Sequence, residues 1–164
     1  VNTRRIAAVI ALLLVATAWG ATFTLIKDVL GRIAPEPFIF FRFTLAGVVL
    51  MALAAFRREL SRDVILPGTI LGMLVFIGYW AQTRGLMFIS PSRSALLTGL
   101  YVVMVPFFGR ATLRAWIASA LALIGTALLI GGFDSRPTFG DALTVFGAVC
   151  FAWHIVLSAR YSAS

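Results

Sequence analysis

The stretch IAAVIALLLVATAWGATFTLI, residues 6–26, decides what kind of chain this is: 21 consecutive residues carry no ionisable side chain. At 1.5 Å per residue a helix of that length reaches about 30 Å, the thickness of a bilayer's hydrocarbon core. Arg4 and Arg5 enter the run, and Lys27 and Asp28 close it. A secretory signal peptide would share the basic start and offer Ala16-Thr17-Ala18 as a cleavage site. The apolar character runs on through Trp19, Phe23 and Leu25 with no polar mature start, which favours a span.

Five further apolar runs follow. The second, from about Phe38 to Phe56, comes after the turn signal Pro35-Glu36-Pro37 and closes on Arg57, Arg58, Glu59, Arg62 and Asp63. The third, about Val64 to Ile89, has Pro67-Gly68 near its beginning and contains Gly72, Gly78 and Gly85, residues that let membrane helices approach closely. The fourth, about Ala95 to Gly109, is the weak one, reaching only about 22 Å. It needs Arg93 and Arg110 to snorkel, or a locally thin bilayer, and its Pro106 predicts a bend. The fifth runs from about Ala115 to Phe133 and ends at Gly131-Gly132. The sixth, about Ala142 to Ser158, follows Asp134-Ser135-Arg136-Pro137. The predicted fold class is all-α, a polytopic transmembrane helix bundle with about six spans.

Composition excludes an ordinary soluble domain. The 164 residues are 61% hydrophobic and 12% charged, with a mean hydropathy of +1.01, against about 45–50% and about 25% in soluble domains. The net charge of +8 would suggest nucleic acid in a soluble chain; here the cations belong in loops beside the bilayer, and no nucleic-acid partner is expected. Cys150 is the single cysteine, so neither an internal disulfide nor a cysteine zinc cluster can form. Paired carboxylates, HExxH, a serine triad and a phosphate-cradling glycine loop are all absent, so neither an enzyme nor a cofactor is expected. The chain begins at Val1 and stops at Ser164, as an incomplete piece or a short reading frame with an alternative start would.

Cations set the expected orientation. With the N-terminus cytoplasmic, Arg4, Arg5, Arg57, Arg58, Arg62, Arg110, Arg114 and Arg160 lie inside, and Lys27, Arg32, Arg93 and Arg136 outside. Both termini are therefore placed in the cytoplasm. Within the spans only Arg42, Arg84 and His154 are strongly polar and ionisable, and no Asp or Glu is expected there, which disfavours proton coupling through a buried acid. Arg42 and Arg84 fall toward the outer leaflet. They either snorkel or join Lys27 and Arg93 in a positive vestibule, partly neutralised by Asp28 or Glu36, that would favour carboxylate-bearing metabolites. His154, among Trp153, Ile155 and Val156, is either a packed, hydrogen-bonded residue or a proton carrier. Trp19, Thr22, Tyr79, Trp80, Gln82, Thr83, Thr98, Tyr101 and Trp153 could line a path or serve as interface anchors and interhelical partners. Gln82 and Tyr101 are the pair selected as pathway residues. Ala18-Trp19 and Ala152-Trp153 sit at comparable depths in the first and sixth spans, a faint echo of the inverted repeats common in secondary transporters.

Several motifs resemble EamA-type proteins of the drug/metabolite transporter superfamily. Ala18-Trp19-Gly20-Ala21-Thr22-Phe23, then Ile26-Lys27, resembles the first-helix signature, and Phe40-Phe41-Arg42-Phe43 the Arg-Phe segment of the second helix. Gln82-Thr83-Arg84-Gly85-Leu86, and Ser92-Arg93-Ser94-Ala95 through Leu100-Tyr101-Val102-Val103-Met104-Val105-Pro106, are similar to the hairpin between the third and fourth helices. Gly140-Asp141-Ala142-Leu143 and Ala152-Trp153-His154-Ile155-Val156 resemble the opening of the second repeat. The resemblance implies a ten-helix permease of the plasma membrane (the inner membrane in bacteria), built from two inverted five-helix repeats with a central path and alternating access, often exporting amino acids, other metabolites or drugs. On that pattern residues 1–133 form the first repeat and 134–164 the connection and first helix of an incomplete second. The stretch between Pro106 and Arg110 is shorter than the family pattern. Transport of a small-molecule substrate would then need a second copy in a homodimer, or a complementary half-transporter. The alternative is a non-transporting membrane protein, or permease remnant, that packs with partner helices.

Overall fold

A computed structural model describes residues 3–57, 61–109, 112–129 and 136–162. Among the described residues six α-helices follow one another: α1 (Thr3–Leu30), α2 (Pro35–Arg57), α3 (Ile65–Leu86), α4 (Pro91–Phe108), α5 (Leu113–Leu129) and α6 (Phe139–Tyr161). A 3-10 turn, Arg62–Val64, leads into α3. Helices α1, α2, α3, α4 and α6 are each long and apolar enough to cross a membrane. Their outward residues, among them Leu12, Leu14, Leu45, Leu50 and Leu66, lie more than half exposed. Only hydrocarbon makes such a surface favourable, so the bundle is integral to a membrane.

The helices outrun the apolar stretches because their ends are capped. Ser90 adopts an extended backbone, its side chain accepts from the Arg93 N–H, and Pro91 occupies the first helical position. This starts α4 four residues earlier than the hydropathy expectation, at 18 residues and about 27 Å. The fourth helix thus comes close to the thickness of the hydrocarbon core, though it remains the shortest of the five candidate spans among the described residues. Likewise Pro35-Glu36-Pro37 forms the first turn of α2 rather than a loop before it, and Lys27 and Asp28 lie in the last turn of α1. At α6, Thr138 and Asp141 form a reciprocal capping box. Asp141 is therefore a buried acid inside a spanning helix, where no Asp or Glu was expected. The expected turn residues Arg58 and Glu59, the flanking Arg110, and Gly131 to Ser135 lie outside the described residues.

Helices α3, α4 and α6 make the packed centre. Antiparallel α3 and α6 meet along small residues: Ala81, Thr144 and Ala148 have no exposed surface, and Gly85 faces Gly140 as Gly78 faces Gly147. A β-carbon at Gly85 would lie 2.5 Å from Thr144 Oγ1 and 2.7 Å from the Gly140 carbonyl oxygen. Glycine there lets the two backbones touch, which is how membrane helices gain dispersion energy without a hydrophobic drive. Helix α5 leans on α4, where Phe107 and Trp116 meet edge to face at 4.5 Å. Helices α1 and α2 flank the centre, α1 on α3 and α4, α2 on α3.

Candidate functional site

Where α1 and α2 meet the packed centre, many of the contacts between helices are aromatic. Trp19 of α1 stacks on Tyr101 of α4 at 6.4 Å. Tyr101 meets Phe151 of α6 at 6.5 Å, and Phe151 meets Tyr79 of α3 at 5.1 Å. The arc ends on α2, where Phe43 lies 5.9 Å from Tyr79 and the Arg42 guanidinium carbon sits 4.4 Å over the same ring. Five helices thus contribute to one continuous series of ring contacts, each pair in the offset or edge geometry that ring quadrupoles favour.

A buried polar pair lies behind the arc. Gln82 Nε2 donates to Thr98 Oγ1 at 2.8 Å, with both residues buried. Of the two residues selected for the path, Gln82 bonds Thr98 here, and Tyr101 lies about one helical turn further along α4. Nearby, Ser94 Oγ is fully buried and has no hydrogen-bond partner among the described residues. Removing one member of the Gln82–Thr98 pair strands the other. Gln82→Leu is expected to lower stability by about 1–3 kcal/mol, and the double variant with Thr98→Val by less than the single one. Denaturant unfolding of Gln82→Leu, Thr98→Val and the double variant tests this; a double-variant loss equal to the sum of the two single losses would show that the bond contributes nothing.

Of the four cations considered for a positive vestibule, Arg84 has the neutralising Glu36 beside it, while Arg93 and Lys27 have partners elsewhere. Arg93 makes a bidentate pair with Asp141, Nε to Oδ1 at 2.6 Å and Nη2 to Oδ2 at 3.0 Å, rather than facing Asp28 or Glu36. Arg84, in the last turn of α3, pairs with Glu36 at 3.0 Å, both about half exposed, as an interfacial arginine would. Lys27 donates to the carbonyls of Leu86, Met87 and Ile89 at 2.5, 3.0 and 3.1 Å. It closes the C-terminal end of α3, where the helix dipole favours a cation. These partners come from other helices, which is why position in the sequence did not disclose them.

Of the residues singled out in the sequence, Trp19, Thr22, Arg42, Tyr79, Gln82 and Thr83 converge on one small crevice between α1, α2 and α3. Thr98 and Tyr101 join Trp19 along a cleft of about 300 Å³ between α1 and α4. Trp153 and His154 stand apart. Trp153 stacks on Phe108 at 4.7 Å, while His154 Nδ1 lies 3.2 Å from the Leu71 carbonyl and Nε2 3.5 Å from Ser158 Oγ. His154 thus lies within hydrogen-bond distance of groups on α3 and α6. The residue of α6 that joins the arc is Phe151, which the sequence reading passed over; its position two residues before Trp153 was the only signal available.

Such a bundle, with aromatic contacts between its helices and an apolar outside, is that of a polytopic membrane protein. Residues 6–133 match the EamA-like transporter family, and the chain belongs to it. It is 30% identical over 169 aligned residues to an uncharacterized transporter of Archaeoglobus fulgidus, covering 98% of this chain and 52% of that protein. The uncharacterized transporter YyaM of Bacillus subtilis is 28% identical over 159 residues, covering 87% and 52%. The chain thus spans about half the length of these curated relatives. No solved structure matches it. The family and these relatives all carry the name transporter.

Proposed function

We propose that this chain supplies one wall of the substrate path of a permease that exports small metabolites, amino acids or drugs among them, from a bacterial cell. The arc from Trp19 to Arg42 carries the reading: a wall contributed by five helices, with rings for an apolar body and one cation and a buried amide for polar groups. In this reading residues 1–133 are one five-helix repeat and 134–164 the opening of a second of opposite orientation. A second copy of the chain, or a complementary half, closes the path from the other side. The plasma membrane, the inner one in bacteria, is the location this reading assigns. The arginine bias of the loops supports cytoplasmic termini.

The test is flux in liposomes. Purified chain is reconstituted at rising protein-to-lipid ratios and loaded with a panel of amino acids, organic acids and cationic dyes. Efflux that grows faster than linearly with protein density is expected, since assembly precedes transport. Linear efflux from isolated monomers would contradict the need for a second half; no efflux at any density would exclude assembly with a second copy, and no efflux after co-reconstitution with a complementary half would remove the transport reading.

A further inference from the structure

Of the four cations Lys27, Arg42, Arg84 and Arg93, three are engaged: Lys27 by carbonyls, Arg84 by Glu36, Arg93 by Asp141. Arg42 is different. Among the described residues it makes no ion pair and no hydrogen bond, and its contact is the Tyr79 ring. That ring fixes where the guanidinium sits and leaves its N–H donors without an acceptor. Because α2 begins at Pro35, Arg42 lies two turns inside the helix, about 10 Å along its axis. An arginine held at such depth and turned toward a neighbouring helix has a desolvation cost that an anionic partner would offset.

The space beside it has a matching composition. A cleft of about 280 Å³ between α1 and α2 is lined by Thr22, Leu25, Ile26, Val29, Phe38 and Arg42. Thr22 spends its hydroxyl hydrogen on the Trp19 carbonyl at 2.6 Å, so toward the cleft it presents lone pairs only. The cleft therefore offers one place for negative charge, at Arg42, and apolar surface elsewhere. A second carboxylate would face either hydrocarbon or the Thr22 oxygen.

We propose that Arg42 anchors the carboxylate of a small amphipathic monocarboxylic acid lodged between α1 and α2. This rests on the permease reading and narrows its substrate class. The guanidinium takes the two carboxylate oxygens through a fork of N–H donors, and the acid's apolar body lies on Leu25, Ile26, Val29 and Phe38. The phosphate of an anionic lipid presents the same oxygen chemistry. The engagement of Arg42 by an inward ring, two turns below the helix start, favours the small acid.

Equilibrium binding of phenylacetate and its uncharged isostere phenylacetamide to the full chain in phosphatidylcholine nanodiscs tests the assignment. The acid is expected to bind at least tenfold more tightly than the amide, and more tightly than phenylmalonate. Arg42→Gln should abolish the preference, Arg42→Lys should keep part of it, and Arg84→Gln should leave it intact. Equal binding of acid and amide, binding of neither, or a preference that survives in Arg42→Gln would overturn the proposal. So would loss of the preference on adding phosphatidylglycerol, which would give Arg42 to lipid. The fold of each variant is checked by its elution from size exclusion, and the lysine variant and the acid–amide comparison on the unaltered chain stand if the glutamine variant misfolds. Binding is read without flux, so a chain that prefers the acid yet moves nothing, alone or with a complementary half, contradicts the permease and keeps the anchor. Efflux confined to neutral compounds does the reverse.

Discussion

Gly85→Ala is expected to lower the stability of the folded chain by about 1–3 kcal/mol, the range for forcing a methyl group into a filled interior. The new β-carbon would stand 2.5 Å from Thr144 Oγ1 and 2.7 Å from the Gly140 carbonyl oxygen. The threonine could rotate, at the loss of its own bond to the Gly140 carbonyl at 2.8 Å. The backbone oxygen cannot, so α3 and α6 must part. Gly147→Ala should behave alike, its β-carbon falling 2.8 Å from the Gly78 carbonyl oxygen. Gly125 on α5 and Gly72 on α3 have nothing within 4 Å of such an atom. Alanine there should be neutral or slightly stabilising, since it restricts the unfolded chain and has the better helix propensity. Denaturant unfolding followed by helical circular dichroism reads all four. If Gly85→Ala proved as silent as Gly125→Ala, the close α3–α6 contact would be wrong. The effect reaches the site as well, because α3 carries Tyr79 and Gln82 and α6 carries Phe151, the middle of the aromatic arc.

Asp141→Ala should cost more, about 3–5 kcal/mol, because it leaves Arg93 with a desolvated, unpaired charge. The side chains of Arg93 and Asp141 are 22% and 10% exposed, against 43% and 50% for Arg84 and Glu36. Glu36→Ala is therefore expected to cost no more than about 1 kcal/mol. Asp141 has a second duty: its Oδ2 accepts from the Thr138 N–H at 2.7 Å and closes the capping box. Asp141→Asn separates the two duties, since an amide oxygen can keep the cap while the charge is lost. It should fall between wild type and Asp141→Ala. Exchanging the partners, Arg93→Asp with Asp141→Arg, should not restore stability, because arginine cannot accept from Thr138. The same unfolding measurement covers the set, and an Asp141→Ala loss no larger than that of Glu36→Ala would refute the argument from burial.

Apolar run length made the helices legible in the sequence, because a bilayer sets a fixed span and punishes every unpaired backbone group. Helix ends were less legible. Ser90-Pro91 and Thr138 with Asp141 are local capping signals, but they extend helices past the apolar stretch that hydropathy detects. The site divided in the same way. Trp19, Arg42, Gln82, Thr98 and Tyr101 stood out as polar or aromatic residues in apolar runs, while Phe151 looked like any other phenylalanine. Which of them touch was hidden, since every one of these pairings crosses between helices: Gln82 with Thr98, Trp19 with Tyr101, Arg42 with Tyr79.

The sequence by itself determined that this is a helical membrane protein of the EamA-like kind, because span length, the scarcity of charge and short motifs are properties of single segments. Only the tertiary structure decided how the cations are used. Four positive side chains look alike in a list; packing sets Lys27 against carbonyls and Arg84 and Arg93 against carboxylates, and leaves Arg42 against a ring. A charge acquires its role from what lies within a few ångströms of it, and those neighbours belong to other helices.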